Sequence, residues 1–219
     1  MFSASLAKYT RQTCAHLSDT VSFFLPVIAD SAKPVLSPSP QMNTAANALA
    51  AGQVVAYPTE AVWGLGCDPF NRHAIEALLA LKSRSAHKGL ILVAASIAQF
   101  DFLLWDADKT LRQKLAASWP GHTTWLVPHH QRVPGLVSGE HASIAIRVSA
   151  HSGVRALCHA FGGPIVSTSA NPQGMAPART AFMARKYFRE SGVVFAPGVV
   201  GRQAKPSTII DAQSGAVIR

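Results

Sequence analysis

The chain has 219 residues, of which 48% are hydrophobic and 14% are charged, and its formal net charge is +9. This composition supports a sizeable hydrophobic core, and no apolar run is long enough to span a bilayer. Three scattered cysteines without a CxxC pair argue against a disulfide framework and a zinc site, and they fit a reducing, cytoplasmic setting. The positive charge indicates an anionic partner, either a nucleotide or a nucleic acid.

Residues 1–40 differ in composition from the rest of the chain. They are rich in Ser, Thr and Ala and end in SAKPVLSPSP, which is typical of a tail or a linker. The apolar stretch 22–28 is too short for a signal-peptide core. We therefore predict an N-terminal extension over residues 1–40, either disordered or upstream of a native start at Met42. One domain is predicted over residues 41–219.

The first elements after this extension are a helix, a strand and a second helix. An Ala-rich helix is predicted over residues 43–51, with Asn43 or Thr44 as its N-cap. The apolar run 54–57 predicts a buried strand that ends at Pro58. Gly64 and Gly66 predict a tight turn or a close approach to a ligand. Asn71 then caps a helix whose apolar residues recur at a spacing of three and four.

The rest of the chain alternates irregularly between strands and helices. Strands are predicted at 90–94, 123–127, 143–148, 165–168, 193–196, 208–211 and 216–219. Helices are predicted after Ser96, after Asp106 or Asp108, from Ser152 and after Thr180. Because strict βαβ alternation is absent, we expect an α/β fold with a twisted, mixed, open sheet flanked by helices. In the strand 143–148, alternation places Arg147 opposite the isoleucines.

Three cations follow the second helix, at Lys82, Arg84 and Lys88. Residues two apart do not share a helix face, so Lys82 and Arg84 act together only if the chain leaves the helix near Leu81. A strand, a glycine-bracketed turn, a helix and a cationic exit then form an anion pocket. A solvated charge run after a helix is an equally good interpretation of the spacing alone.

Several motifs in this order resemble one known family. They are YPTEAVWGLGCD (57–68), LKSRSAHKGLIL (81–92), WPG (119–121), SIAIRV (143–148), PIVSTSANPQG (164–174) and PSTIID (206–211). Together they resemble the YrdC/TsaC family of threonylcarbamoyl-AMP synthases, in its short, single-domain form. The resemblance covers roughly residues 41–219, and it implies a single YrdC-like domain.

The resemblance also implies an activity. Members of this family condense L-threonine, bicarbonate and ATP into threonylcarbamoyl-adenylate and pyrophosphate. The product supplies the threonylcarbamoyl group of a modified adenosine next to the tRNA anticodon. ATP is thus an expected substrate, Mg²⁺ is expected with it, and no protein-bound metal is predicted. The other tRNA-modification proteins that use the adenylate are expected partners, tRNA itself is a candidate partner, and no membrane is expected.

The family's functional residues map onto nine positions of this chain. The expected catalytic residues, placed around the ATP phosphates and the carbamate, are Lys82, Arg84, Ser169 and Asn171. Expected threonine-binding residues are Thr59, Arg147 and Ser167. Thr124 and Arg219 are weaker candidates for ATP contacts. No general base is assigned, because a lone histidine beside a motif is more often incidental.

Other interpretations of the same residues stay open. A non-catalytic module that binds tRNA or ribosomal RNA needs only the positive charge. A different adenylating or carbamoylating enzyme would use another amine. Ser169 and Asn171 are also common in turns and helix caps, and Arg147 is compatible with an exposed strand edge. Ser85 and Gly89 stand where the family often has proline, which leaves the geometry of the loop after Lys82 uncertain.

Overall fold

The structure, a computed structural model, describes residues 39–203 and 205–219, which fall in one compact unit. The predicted extension over residues 1–40 therefore lies almost entirely outside the described residues. The helices are α1 (Pro40–Ala50), α2 (Arg72–Lys82), α3 (Asp101–Leu104), α4 (Lys109–Ser118), α5 (Gly135–Ser138), α6 (Ser152–Phe161) and α7 (Ala181–Phe188). The strands are β1 (Val55–Pro58), β2 (Trp63–Gly66), β3 (Ile91–Ala94), β4 (Thr123–Pro128), β5 (Ser143–Val148), β6 (Ile165–Ser169), β7 (Val194–Phe195) and β8 (Thr208–Asp211).

The eight strands form one open sheet in the order β7-β1-β2-β6-β3-β5-β4-β8. Parallel pairs (β1 with β7, β3 with β5, β4 with β8) alternate irregularly with antiparallel pairs (β1 with β2, β2 with β6, β3 with β6, β4 with β5). This arrangement confirms the predicted α/β fold with a mixed open sheet. It also places β2, β6, β3 and β5, which carry most of the motifs, side by side at the centre.

Most helix starts follow the predicted capping residues. Asn71 accepts a hydrogen bond from the Ala74 N–H at 3.1 Å, and Thr180 caps α7 in the same way through Met183. The first helix is the exception, because it begins at Pro40 behind Ser39 rather than at Asn43 or Thr44. A serine N-cap followed by proline at the first helical position satisfies the helix start better than the two later residues do.

Two predictions about backbone shape need correction. Of the two roles predicted for Gly64 and Gly66, the tight turn is wrong, because both residues lie in β2, whereas the close approach to a ligand stays a prediction. A side chain at Gly66 would meet the carbonyl oxygen of Val166 and the ring of Tyr57, so this glycine is required by close packing between strands. The predicted strand 216–219 is also absent from the described residues, where only an isolated bridge pairs Ile210 with Val217.

The two faces of the sheet have different roles. One face carries Ile144, Ile146 and their neighbours into the main hydrophobic core with α2. The opposite face packs against α1 and α6 through Val55, Tyr57 and other apolar side chains. Arg147 is paired with Val93 of this second face, as the alternation in β5 predicts. The helices α1 and α6 cover only part of the second face, and the remainder is available for a site.

Within the described ranges, every helix is too short or too polar to cross a membrane.

Replacing Gly66 with alanine tests the packing between β2 and its neighbours. Because the new methyl group overlaps the Val166 carbonyl, we expect the free energy of unfolding to fall by about 1–3 kcal/mol, measured by urea denaturation. The matched control is Gly163→Ala, whose methyl group would meet only the Phe161 ring at ordinary contact distance. Equal stability of the two variants would contradict the close packing.

Candidate functional site

A cleft of about 420 Å³ lies on the sheet face that carries α1 and α6. Its floor is built from β3, β5 and β6, where Val93, Arg147 and Ser167 occupy neighbouring positions. The turn after β1 and the segment before β8 form its walls. The polar lining residues are Thr59, Glu60, Arg84, His122, Thr124, Arg147, Ser167, Thr168, Ser169, Ser207 and Arg219.

The end of α2 brings the predicted cationic pair to this region. Lys82 is the last residue of the helix, one position later than expected, and Ser83 ends the helix with a left-handed conformation (φ 50°). This turn sends Arg84 away from the helix axis and into the cleft lining. The Lys82 side chain stays buried, with 6% of its surface exposed.

The Lys82 ammonium joins α2 to the end of β6. Its Nζ donates hydrogen bonds to the backbone oxygens of Ser169 (2.5 Å) and Asn171 (2.8 Å), and it lies 3.4 Å from the Asn171 side-chain oxygen. The Ser169 hydroxyl donates to the same side-chain oxygen at 2.6 Å. The segments around residues 82 and 171, which are 89 positions apart in sequence, therefore meet in space as the motifs predict.

Burial makes the charged form of both cations less favourable. Burial, with a smaller contribution from the nearby Arg84 charge, lowers the pKa of Lys82 to about 8. Burial also lowers the pKa of Arg84. Arg84 donates one hydrogen bond to the Gly89 carbonyl at 2.9 Å, while its buried Nε has no partner among the described residues. An additional anion near either group would relieve this cost.

Arg147 lies in the floor of the cleft in a buried ion pair. Its Nη2 donates to Glu60 Oε2 at 2.8 Å, and the two side chains are only 9% and 10% exposed. The second carboxylate oxygen of Glu60 accepts hydrogen bonds from the Ser149 hydroxyl at 2.7 Å and the Ala150 N–H at 3.2 Å. Arg147 is thus buried in the cleft floor rather than exposed at a strand edge.

The environment of Glu60 keeps its carboxylate ionised. Burial raises the pKa of Glu60, but the Arg147 charge and the Ser149 hydrogen bond outweigh this effect and hold the pKa below its usual value. Three donors already bind the carboxylate, so little proton-accepting capacity remains.

Thr59 and the two weaker candidates, Thr124 and Arg219, are also held by specific contacts. The Thr59 hydroxyl donates to the Val62 carbonyl at 2.7 Å. Thr124 is fully buried and shares a 2.8 Å hydrogen bond with the Ser207 hydroxyl. Arg219 donates to the Ser207 carbonyl at 3.3 Å. The hydrogen bond between Thr124 and Ser207 fastens the segment before β8 against β4.

Seven of the nine residues expected from the sequence line this one cleft. They are Thr59, Arg84, Thr124, Arg147, Ser167, Ser169 and Arg219. Lys82 and Asn171 do not line it and lie behind the Ser169 backbone. The nine residues are therefore brought to one region, in two layers.

Glu60, His122, Thr168 and Ser207 also line the cleft but were not predicted, and neither was Ser149, which donates to Glu60. Glu60 binds Arg147, Ser149 binds Glu60 in turn, and Ser207 binds Thr124. Ser149 follows Arg147 by two residues, a spacing that puts both on one face if the strand continues. The position of Glu60, a glutamate directly after Thr59 in a basic chain, was a second signal for a site residue. Ser207 stands within the PSTIID motif and carried no other signal.

Comparisons with known proteins agree with this geometry. The model of the Sua5/YciO/YrdC family, described as telomere recombination, matches residues 47–219. A protein of Saccharophagus degradans named threonylcarbamoyl-AMP synthase is 56% identical over 180 residues, which cover 82% of this chain and 94% of the relative. A protein of the same name from Pseudomonas aeruginosa strain UCBPP-PA14 is 51% identical over 175 residues, covering 80% of this chain and 94% of the relative.

A solved structure, P. abyssi Sua5 complexed with L-threonine, is similar with a TM-score of 0.72 and 29% identity. The similarity covers 78% of this chain, which spans half of the P. abyssi protein. Because the family model matches most of the sequence, this chain belongs to the Sua5/YciO/YrdC family. The family membership inferred from the separated motifs is confirmed.

The buried ion pair provides a test of this part of the site. Replacing Arg147 with methionine leaves the Glu60 carboxylate buried without its partner, so we expect a loss of about 3–5 kcal/mol in the free energy of unfolding. Adding Glu60→Gln should restore much of this loss, because both charges are then removed. Urea denaturation measures both effects.

The control for this experiment is Arg72→Met, which breaks an exposed pair with Glu76. Its expected cost is at most about 1 kcal/mol. If Arg147→Met costs no more than Arg72→Met, the pair does not stabilise the cleft as described.

Proposed function

We propose that this protein is a threonylcarbamoyl-AMP synthase, which condenses L-threonine, bicarbonate and ATP into threonylcarbamoyl-adenylate and pyrophosphate. The observation that carries the proposal is the contact of the Lys82 ammonium with Ser169 and Asn171, beside a cleft that also holds Arg84 and Arg147. The relatives that bear this name match this chain over nearly their whole length.

The chemistry explains why such a site needs cations and donors rather than a protein nucleophile. The threonine amine adds bicarbonate to form a carbamate, with loss of water. An oxygen of the carbamate attacks the α-phosphorus of ATP, the bond from that phosphorus to the bridging oxygen breaks, and pyrophosphate leaves. Negative charge grows on phosphate oxygens in the transition state, so preorganised positive groups supply most of the catalysis.

Lys82, Arg84, Ser169 and Asn171 would carry this step. Arg84 supplies a planar guanidinium suited to phosphate oxygens, and its unpaired Nε is a further donor. Lys82 contributes its charge from behind the Ser169 backbone, and it fixes that backbone through two carbonyl oxygens. Asn171 orients the Ser169 hydroxyl by accepting its hydrogen bond.

Arg147, Thr59 and Ser167 would bind the amino acid. Arg147 offers its remaining guanidinium donors to the threonine carboxylate. The Thr59 hydroxyl already donates its proton to Val62, so it would act toward threonine as an acceptor. Ser167 lies on the cleft floor between Ile91 and the Ser169 end of β6.

The rest of ATP would lie toward Thr124 and Arg219, at the end of the cleft closed by the segment before β8. Mg²⁺ would enter as part of the nucleotide substrate, held by phosphate oxygens and water. The one side-chain carboxylate among the described lining residues is bound by three donors. No group of three metal-binding side chains occurs in the ranges 39–203 and 205–219.

The product would be consumed in tRNA modification. Its mixed carbamic–phosphoric anhydride is an activated acyl donor, so a second enzyme must transfer the threonylcarbamoyl group to adenosine. We place the protein in the cytoplasm on this ground. Direct contact with tRNA is compatible with the net charge of +9.

Substitution of Lys82 by alanine tests the proposed catalysis. The variant loses the buried charge and releases the Ser169 backbone, so pyrophosphate release should fall about 100-fold or more. The assay uses threonine, bicarbonate and ATP, each omitted in turn, and a panel of other amino acids.

Lys109→Ala, at an exposed position of α4, is the matched control and should keep full activity. Undiminished release by Lys82→Ala would contradict the assignment. Release that does not depend on threonine would instead indicate another amine substrate.

The pKa of Lys82 predicts how the rate depends on pH. Its folded-state pKa of about 8 lies below the ordinary 10.5, so the side chain is charged below pH 8 and neutral above it. We expect kcat/KM to fall as the pH rises through about 8. The unfolded chain keeps this proton up to about pH 10.5, so deprotonation of native Lys82 does not favour unfolding.

The melting temperature over the same pH range is the control for this profile. A kcat/KM that stays flat to pH 9.5 while the fold persists would show that the charge of Lys82 is not required.

A further inference from the structure

Glu60 is the feature that the proposed chemistry leaves unexplained. Among the side chains of the described residues that line the cleft, only that of Glu60 is a carboxylate, and it lies in a site proposed for anionic substrates. An isolated negative charge would repel both a carboxylate and a triphosphate. The position of Glu60 in the cleft wall therefore calls for a specific role.

The contacts of Glu60 exclude a role as general base. The carboxylate accepts three hydrogen bonds, from Arg147, Ser149 and Ala150, and its pKa lies below the usual value. A base that removes a proton from an ammonium needs a higher pKa and a free lone pair.

The geometry of Arg147 shows what Glu60 achieves. Of its guanidinium donors, one on Nη2 is bound to Glu60, and the Arg147 side chain makes no other hydrogen bond among the described residues. The Glu60 carboxylate is in turn held by the Ser149 hydroxyl and by the Ala150 N–H, just before α6. The guanidinium is thus fixed on one side, and its remaining donors stay available to the cleft that Arg147 lines.

The backbone at Glu60 is held just as firmly. Its carbonyl accepts from the Gln203 N–H at 3.0 Å, and the Thr59 carbonyl accepts from the Gly201 N–H at 2.9 Å. A side chain at Gly201 would approach the Glu60 carbonyl oxygen to 2.9 Å, so this segment lies directly against the turn. The support for Arg147 is therefore rigid on both the side-chain and the main-chain side.

We propose that Glu60 is a positioning residue for substrate carboxylate recognition: with Ser149 it orients the Arg147 guanidinium that binds the α-carboxylate of the amino acid. This role rests on the proposed function, since it names threonine as the amino acid. Ordering a guanidinium before binding removes an entropic cost that the substrate would otherwise meet. Glu60 acts through Arg147 and does not touch the substrate.

A double-mutant cycle tests whether Glu60 acts through Arg147. Threonine binding is measured by isothermal titration calorimetry for the wild type, Glu60→Gln, Arg147→Met and the double variant. We expect each single variant to weaken threonine binding about tenfold or more. The double variant should bind no more weakly than Arg147→Met alone.

The KM for ATP and the melting temperature are recorded for each variant. Positioning of Arg147 predicts a KM for ATP within about twofold of the wild type, whereas general damage to the cleft would raise it as well. Glu76→Gln, an exposed glutamate on α2, is the matched control and should bind threonine normally.

Ser149→Ala is the second variant, in case Glu60→Gln does not fold. It removes one donor to the carboxylate, and we expect about threefold weaker threonine binding that disappears in the Arg147→Met background. Losses that add in the double variants, or normal binding by Glu60→Gln, would overturn the role of Glu60. Wild-type protein that binds no threonine would instead overturn the proposed function, and the role of Glu60 with it.

Discussion

The site depends on the buried ammonium of Lys82, which fixes two distant segments of the chain to each other. A buried lysine is costly unless its donors are satisfied, and here the acceptors are the carbonyls of Ser169 and Asn171 and the Asn171 side chain. All of these belong to the end of β6, so the helix α2 is held against that strand end. The lowered pKa of Lys82 shows that part of the cost remains.

The sheet provides the surface on which this contact is useful. The helices α1 and α6 cover one end of the second face with apolar side chains, whereas the other end carries Arg147, Ser167 and Ser169. Polar residues therefore lie on the same face as part of the core, at positions the helices leave open. The glycines of β2 have no side chain, so the neighbouring strand and Tyr57 pack closely against them. Catalytic groups on strand ends are held more precisely than groups on free loops.

Local patterns in the sequence were enough to predict most elements and the side on which Arg147 lies. The alternation in 143–148 and the capping by Asn71 each depend on neighbours in the chain, so they are visible in the sequence. The packing of Gly66 against Val166 and the ion pair of Glu60 with Arg147 link residues about 90 to 100 positions apart. Such contacts leave no local pattern, which is why a tight turn was one of the two roles predicted for Gly66 and why Glu60 was missed. That the site residues lie close together in space could be predicted only from the separated motifs.

The distribution of charge gives two parts of the cleft different ligand preferences. One part surrounds Arg147, and the other lies near Lys82 and Arg84. The charge of Arg147 is neutralised by Glu60. The part of the cleft around Arg147 would therefore bind a single carboxylate through directed hydrogen bonds rather than through a strong positive field. Lys82 and Arg84 instead donate to uncharged backbone and amide oxygens, so their charges remain uncompensated among the described residues. Under the proposed function, the polyanionic triphosphate of ATP is favoured near Lys82 and Arg84, because it gains from both charges. The difference in charge between these two parts of the cleft would then help to direct the nucleotide and the amino acid to different positions.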